Sequence, residues 1–436
     1  MKYNIRWIVL ALIIVASFVA YLLRSNMSII GATMSTDLGL TEIHLGMLFS
    51  AFAAGYAIFQ FPGGVLSTRF GARLVIGLVL LSSGILTVLT AFVPGPGVLS
   101  VGVILGSLIV MRFLVGATQA PFFPCVAGAA IANWFPHGGW GVPNGLSSTG
   151  LTLGAAATAP LLVWLMDSVG WRGALLVTAP SAFILAAIWW WYVRDYPKEH
   201  DSVTRRELEL IDADRVTAEM EEKQGDWMLV LKNRDVLLMT FSYFCMNYVF
   251  YLFFNWFFYY LTEIKGFSAG EAGILNASLW ILGAVGATAG GFACDSLIKR
   301  LGFRWGPAVI NSVGLCLCGV LLFVGALLEN PYIAVVLFCL CFGLTQLTEA
   351  GFWATSISVG GQYAAAAGGV LNTGGNVVGF IGGMLVPMTA QMMGWTAAIA
   401  TGSVFAIIGG VLWLFIRGDK PMIEPQNESV LSPATS

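Results

Sequence analysis

Apolar residues run along this chain in long blocks separated by short breaks of Gly, Pro and charge. They cover 7–33, 45–67, 73–93, 98–131, 141–167 and 172–193, and again 236–262, 270–297, 305–328, 331–359, 362–391 and 395–416. Each block supplies the about 20 residues that a helix needs to cross a bilayer. The pattern therefore predicts an all-α polytopic membrane protein of twelve transmembrane helices. Between the sixth and seventh blocks, Arg194 to Asp235 alternates acids and bases at helical spacing, which suits a solvated, salt-bridged helix. The expected organisation is a six-helix bundle over 1–193, a cytoplasmic central loop over 194–235, a second six-helix bundle over 236–417 and a cytoplasmic tail over 418–436. The first block follows Lys2 and Arg6 as a signal peptide would. No small-residue cleavage site precedes further membrane sequence, so it is predicted as the first span.

Composition narrows the function. Hydrophobic residues make up 58% of the 436 and charged residues 10%, with a mean hydropathy of +0.82, against about 45–50% and 25% in soluble domains. That excludes a water-soluble enzyme and a disordered chain, and a formal net charge of −2 offers no surface for nucleic acid. No phosphate-binding loop, catalytic set or metal-ligand spacing occurs, so neither an enzyme nor a cofactor is expected. The seven cysteines fall in apolar blocks without CxxC spacing and read as small buried hydrophobes. His44, His137 and His200 fall in predicted loops and read as solvated. Placing both termini in the cytoplasm puts 17 of the 21 Lys and Arg on the cytoplasmic side, as the positive-inside rule requires of an inner-membrane protein.

The two halves read as copies. Arg69-Phe-Gly-Ala-Arg73 matches Arg300-Leu-Gly-Phe-Arg304, 231 residues on, and each follows a Gly-Gly pair. Thr118-Gln-Ala-Pro-Phe-Phe123 matches Thr348-Glu-Ala-Gly-Phe-Trp353 at 230 residues, and Gly170-Trp171 matches Gly394-Trp395 at 224. Three landmarks in order at near-constant offset indicate a parallel duplication of six spans.

These residues resemble the major facilitator superfamily over essentially the whole chain. The Gly-rich end of the second span with Arg69 and Arg73, and its echo with Asp295, Arg300 and Arg304, look like that family's cytoplasmic loop signature. Tyr21-x-x-Arg24-x-Asn26, Gln60-x-Pro62-x-Gly64, Arg112-x-x-x-Gly116, Trp134-x-Pro136 and Gly170-Trp171-Arg172 resemble the anion:cation symporter branch, which includes sugar-acid transporters, sialin and vesicular glutamate transporters. The resemblance implies two pseudo-symmetric bundles enclosing a central cavity lined by the first, fourth, seventh and tenth spans. It also implies that Arg69, Arg73, Asp295, Arg300 and Arg304 latch the cytoplasmic gate.

Arg24, Arg112 and Glu349 are the charges inside the spans expected to line that cavity. A charge there costs about 2.5–3.5 kcal/mol on insertion scales and normally faces a polar cavity. Two guanidiniums against one carboxylate complement an anion, and the planar fork binds carboxylate bidentately. The alternative is that either arginine is a fixed partner of Glu349 or of helix-end carbonyls and holds the halves together. Tyr21, Asn26, Gln60, Gln119, Asn372 and Asn376 are candidates to bind the hydroxyls of a sugar acid, with helix-to-helix bonding as their alternative. Relatives carry acids where this chain has Leu23, Thr68 and Gln119, and neither Leu nor Gln titrates. Glu349 occupies the duplicate position of Gln119 and is the candidate proton-coupling residue, or else a structural ion-pair or gating residue.

Trp189, Trp190 and Trp191 read as interfacial anchors. Gly150/Gly154 and Gly375/Gly379 read as close-packing pairs. The expected protein is a monomeric secondary transporter of a small organic anion, a sugar acid or related carboxylate, working in the lipid bilayer by alternating access with a proton or other cation. The alternatives are an uncoupled facilitator or anion exchanger, and a non-transporting ligand sensor.

Overall fold

The computed structural model describes residues 5–136, 141–212, 227–420 and 422. Among the described residues every regular element is helical. Among the described residues ten helices are long and apolar enough to cross a membrane, and two of them, over 142–192 and 269–327, are each broken once, which makes twelve spans there. We label them α1 (Ile5–Leu38), α2 (42–70), α3 (72–91), α4 (Val101–Gln119 and its continuation to 134), α5 (141–169) and α6 (171–192). The second half runs α7 (Arg234–Tyr259), α8 (269–301), α9 (303–327), α10 (Pro331–Gly360), α11 (Ala364–Met393) and α12 (Trp395–Leu412).

The breaks explain the repeated sequence landmarks. Gly71 (φ 79°, ψ 163°) and Gly302 (φ 74°, ψ 173°) reverse the chain between α2 and α3 and between α8 and α9. Gly170 (φ 70°, ψ 173°) and Gly394 (φ 86°, ψ 164°) do the same between α5 and α6 and between α11 and α12. Only glycine holds a positive φ with extended ψ without a Cβ clash, so each motif carries its glycine at the turning point. The arginine two residues past the turn then ties its hairpin to the end of the bundle. Arg73 donates to the Trp190 carbonyl from Nε (3.2 Å) and Nη2 (2.6 Å), and Arg304 Nη2 donates to the Leu414 carbonyl at 2.9 Å.

Packing repeats with the same offset. A Cβ on Gly55 of α2 would strike the Phe113 carbonyl of α4, and one on Gly286 of α8 would strike the Gly343 carbonyl of α10. The expected pairs behave alike: Gly150 and Gly154 of α5 abut Ile14 and Phe18 of α1, and Gly375 and Gly379 of α11 abut Tyr243 and Tyr251 of α7.

Several expectations are corrected. The central segment is not wholly solvated. Its helix Arg205–Asp212 carries the expected exposed pair, Arg205–Glu209 at 3.2 Å, but Glu207 is buried and accepts from the backbone N–H groups of Ile5 (3.2 Å) and Arg6 (3.0 Å). A carboxylate there satisfies otherwise orphaned donors at the start of α1 and complements its dipole. The rest of the charge-alternating run, 213–226, lies outside the described residues, as do His137 and most of the tail. His44 is not in a loop: it forms a capping box with Thr41 in the first turn of α2. Of the three tryptophans only Trp191 is exposed as an anchor would be. Trp189 is fully buried and donates to the Arg73 carbonyl at 3.1 Å, because successive residues point 100° apart around α6.

Ile5, Arg194 and Gly418 lie at span ends on one side of the molecule, the terminal face. On the opposite face the two halves are sealed together. The Phe49 ring of α2 meets the Trp256 ring of α7 edge-on at 5.2 Å. Ser50 Oγ donates to the Phe380 carbonyl at 2.7 Å, and Gly46 lies against Gly383. Tyr259 Oη donates to Glu42 Oε1 at 2.9 Å across the seam. Tyr259→Phe is expected to weaken this contact by about 1.5 kcal/mol, the worth of a bond to a charged acceptor, and so to shift distances across the face. Spin-label distances across this face would read the shift, and an unchanged distribution would show that the bond does not hold the seal.

Candidate functional site

A cavity of about 550 Å³ lies between the halves and opens towards the terminal face, where Phe123 and Ser148 are exposed. That volume lies within the roughly 300–1,000 Å³ of ordinary ligand sites. Its walls come from the four expected spans, α1, α4, α7 and α10. They come also from α2, α5, α8 and α11, through Tyr56, Asn144, Trp280 and Asn372 among others.

On the first-half wall, Arg24 is held among rings. Its guanidinium carbon lies 4.5 Å from the centroid of Tyr56, 5.1 Å from Phe52, 5.2 Å from Tyr21 and 5.5 Å from Phe254. Such faces stabilise a cation without neutralising it. Its Nε is buried without a partner. Arg112 does not line the cavity. It is buried one ring behind, on Phe52 at 4.9 Å, again with an unpartnered Nε. Both guanidiniums thus pack on the Phe52 ring. Among the described residues no carboxylate pairs with either arginine within 4 Å, so the alternative of a fixed ion pair with Glu349 is absent from this conformation.

On the facing wall, Glu349 takes two hydrogen bonds on one oxygen. Tyr243 Oη donates to Oε1 at 2.7 Å and Trp353 Nε1 donates to it at 2.8 Å. Oε2 accepts nothing among the described residues, and Glu349 lines the cavity. Gln119 stands opposite, in the position duplicated by Glu349, and donates to Ser83 Oγ at 3.1 Å. Leu23 is buried among apolar neighbours, so nothing at that position replaces an acid.

The remaining candidates divide. Tyr21, Asn372 and Asn376 line the cavity. Gln60 lies just behind it and joins the halves: Asn376 Nδ2 donates to Gln60 Oε1 at 3.1 Å, while Tyr251 Oη donates to Asn376 Oδ1 at 2.8 Å. Asn26 is buried in α1 away from the lining. Arg69, Asp295 and Arg300 are exposed, Arg73 and Arg304 bind carbonyls within their own halves, and no ion pair joins the halves among the described residues. Sequence reasoning missed Tyr56, Tyr243, Tyr251, Trp280 and Trp353 as site residues. Aromatics are so frequent in the spans that only the eight-residue spacing of Tyr243 and Tyr251 marks a shared face.

Comparison with known proteins agrees with this geometry. A sequence model of the Major Facilitator Superfamily matches residues 13–383. The probable sulfoacetate transporter SauU of Cupriavidus necator is 31% identical over 380 residues, covering 86% of this chain and 85% of its own. The probable galactarate/D-glucarate transporter GudP of Bacillus subtilis is 29% identical, covering 94% and 92%, and that organism's hexuronate transporter is 29% identical, covering 95% of each. The fold matches a bacterial homolog of the human lysosomal transporter Spinster in its inward-facing, unoccupied form. The TM-score is 0.75 at 16% identity over 94% of this chain and 96% of that one. With twelve spans in two like halves around a charged cavity, this multi-pass membrane protein belongs to the Major Facilitator Superfamily and is a transporter of that family, resembling its anion:cation symporter branch.

Proposed function

We propose that the protein carries a small organic anion, a sugar acid or related carboxylate, across the inner membrane by alternating access, coupled to a cation. The observation that carries this reading is Arg24, which borders the cavity with no carboxylate partner among the described residues. A buried guanidinium without a counter-ion is costly and strongly favours an anionic ligand. Arg112, behind Phe52, adds positive potential without occupying the contact surface. The names of the relatives point the same way, since each moves a carboxylate or sulfonate. With both termini in the cytoplasm the cavity is open to the cytoplasm. Arg69, Arg73, Asp295, Arg300 and Arg304 then lie on the parted side, where they would close the gate after the halves rock.

Glu349 is the one carboxylate among the described lining residues and is the group through which a cation would couple. The missing acids at Leu23 and Gln119 favour a second reading, an uncoupled facilitator or anion exchanger. Uptake of labelled sugar acids and monocarboxylates into proteoliposomes, with and without an inward proton gradient, separates the two. Coupled transport predicts gradient-driven accumulation that Glu349→Gln abolishes and Arg112→Ala weakens about tenfold, the worth of about 1.4 kcal/mol. Uptake indifferent to the gradient in every variant would make the protein a facilitator or exchanger.

A further inference from the structure

The sealed face holds a second pocket, apart from the central cavity, that gathers carboxylates from both halves. We propose that it is a site for a hard divalent cation, Ca²⁺ in preference to Mg²⁺, held between Glu42 of the first half and Glu263 of the second, and that the bound ion fastens the seal.

The pocket has a volume of about 330 Å³. Its walls include Ser35 and Thr36 at the end of α1, Glu42 at the start of α2, Tyr259 and Glu263 at the end of α7, and Gln391 of α11. A water takes about 30 Å³, so an ion fits together with several of its waters. The walls offer carboxylate, hydroxyl and amide oxygens without thiol or imidazole, which is the donor set of hard cations. Side chains drawn from four helices suit the flexible shell of Ca²⁺ better than the strict octahedron of Mg²⁺.

The charges in the pocket are not balanced by the protein. Closing the seam brings Glu42 and Glu263 into one space, where like charges repel. Tyr259 Oη donates to Glu42 Oε1 at 2.9 Å, and Oε2 accepts nothing among the described residues. Neither carboxylate has an ion pair within 4 Å among those residues. The basic groups nearby are spent elsewhere. Arg172 donates to Asp37 and to the Val93 carbonyl, Lys265 Nζ lies 5.7 Å from the Tyr260 ring centroid, and His44 is held in its capping box. Glu42 alone would be explained as an acid in the first turn of a helix. Glu263 would not, because it lies at the C-terminal end of α7, where the helix dipole disfavours negative charge.

Ser35 gives an independent sign of a missing partner. It is 7% exposed, and its Oγ is buried without a hydrogen bond. A hydroxyl on a helix commonly returns to a carbonyl one turn back, as Thr36 Oγ1 does to Ala32 at 3.2 Å. A buried polar atom left over in the wall of an acidic pocket calls for a ligand. The last turn of α1 also lacks a basic residue, so its carbonyl end favours a cation as well. This ion is separate from any coupling cation, since Glu349 lines the central cavity and not this pocket. An ion that binds only when the two acids meet stabilises the sealed conformation by linkage.

The test uses purified full-length protein stripped with a chelator and titrated with CaCl₂, MgCl₂ or NaCl at matched ionic strength. Calorimetry reads binding, and spin-label distances across the sealed face read the seal. Wild type should bind Ca²⁺ with a Kd of about 0.1–1 mM, the range of extracellular calcium modules, and Mg²⁺ more weakly. Ca²⁺ should shift the distances towards the short, sealed population. Glu42→Gln and Glu263→Gln should each weaken binding at least about tenfold, Glu263→Asp should keep part of it, and Ser35→Ala should weaken it less. Glu329→Gln, which removes an exposed acid outside the pocket, should leave binding unchanged. Monodispersity of each variant on size exclusion separates lost binding from lost folding. Absence of saturable Ca²⁺ binding in wild type would overturn the site, as would binding that Glu263→Gln and Glu329→Gln reduce equally. Binding by Na⁺ in preference to Ca²⁺ would overturn the divalent assignment, and distances indifferent to bound Ca²⁺ would overturn the fastening role.

Discussion

Replacing Arg24 by glutamine is expected to lower uptake of the anionic cargo about a hundredfold while leaving the protein folded. The size follows from truncating one partner of a desolvated charge pair, which costs about 3 kcal/mol or more. Folding survives because no ion pair among the described residues depends on the charge, and the ring contacts of Arg24 are individually weak. Removing an uncompensated buried cation relieves desolvation rather than adding to it. Arg24→Lys keeps the charge but loses the planar fork, and should recover only part of the activity. Uptake assays beside a size-exclusion profile decide the matter. An active Arg24→Gln protein would move the anion site to Arg112 and require Phe52 to swing aside.

The second large effect is on the fold. Gly286→Val is expected to destabilise the second half by about 3 kcal/mol or more, at the upper end of what overpacking costs. The obstacle is backbone: the new Cβ would lie on the Gly343 carbonyl of α10, which no rotamer change can move. Gly55→Val should do the same to the first half through the Phe113 carbonyl. By contrast Gly291→Val, whose Cβ position has open space, should be tolerated. Thermal unfolding of the three purified variants would test the ranking, and equal losses would mean that helix propensity rather than close approach sets the cost.

Much of the architecture was legible because bilayer burial imposes a simple rule on sequence. Twelve apolar blocks became twelve spans, and the landmarks shared by the halves proved to be shared geometry: Gly71 with Gly302, and Gly170 with Gly394, have nearly the same dihedrals. The close-packing role of Gly150 and Gly375 was legible for the same reason, since spacing on one helix is a local property. The site was legible only in outline. Charges in an apolar context named Arg24 and Glu349, but the same cue named Arg112, and only tertiary packing shows that Arg112 is buried on Phe52 away from the cavity lining. The central segment misled because charge alternation reports average solvation. It does not reveal that Glu207, one acid among many, meets the start of α1. Trp189 misled likewise, since three adjacent tryptophans look alike in sequence and point three ways in space.

The four glycine reversals also divide the molecule mechanically. They join α2 to α3, α5 to α6, α8 to α9 and α11 to α12 with a single residue between helices, so eight spans form four closely tied pairs. The spans left untied are α1, α4, α7 and α10, which hold Arg24, Gln119, Tyr243 and Glu349. Two of them contain the π-helical turns, Val126–Ile131 in α4 and Tyr260–Ile264 after α7, where the backbone ladder is already irregular. Irregular backbone thus falls in and beside spans that line the cavity, and the one-residue reversals fall between the other spans.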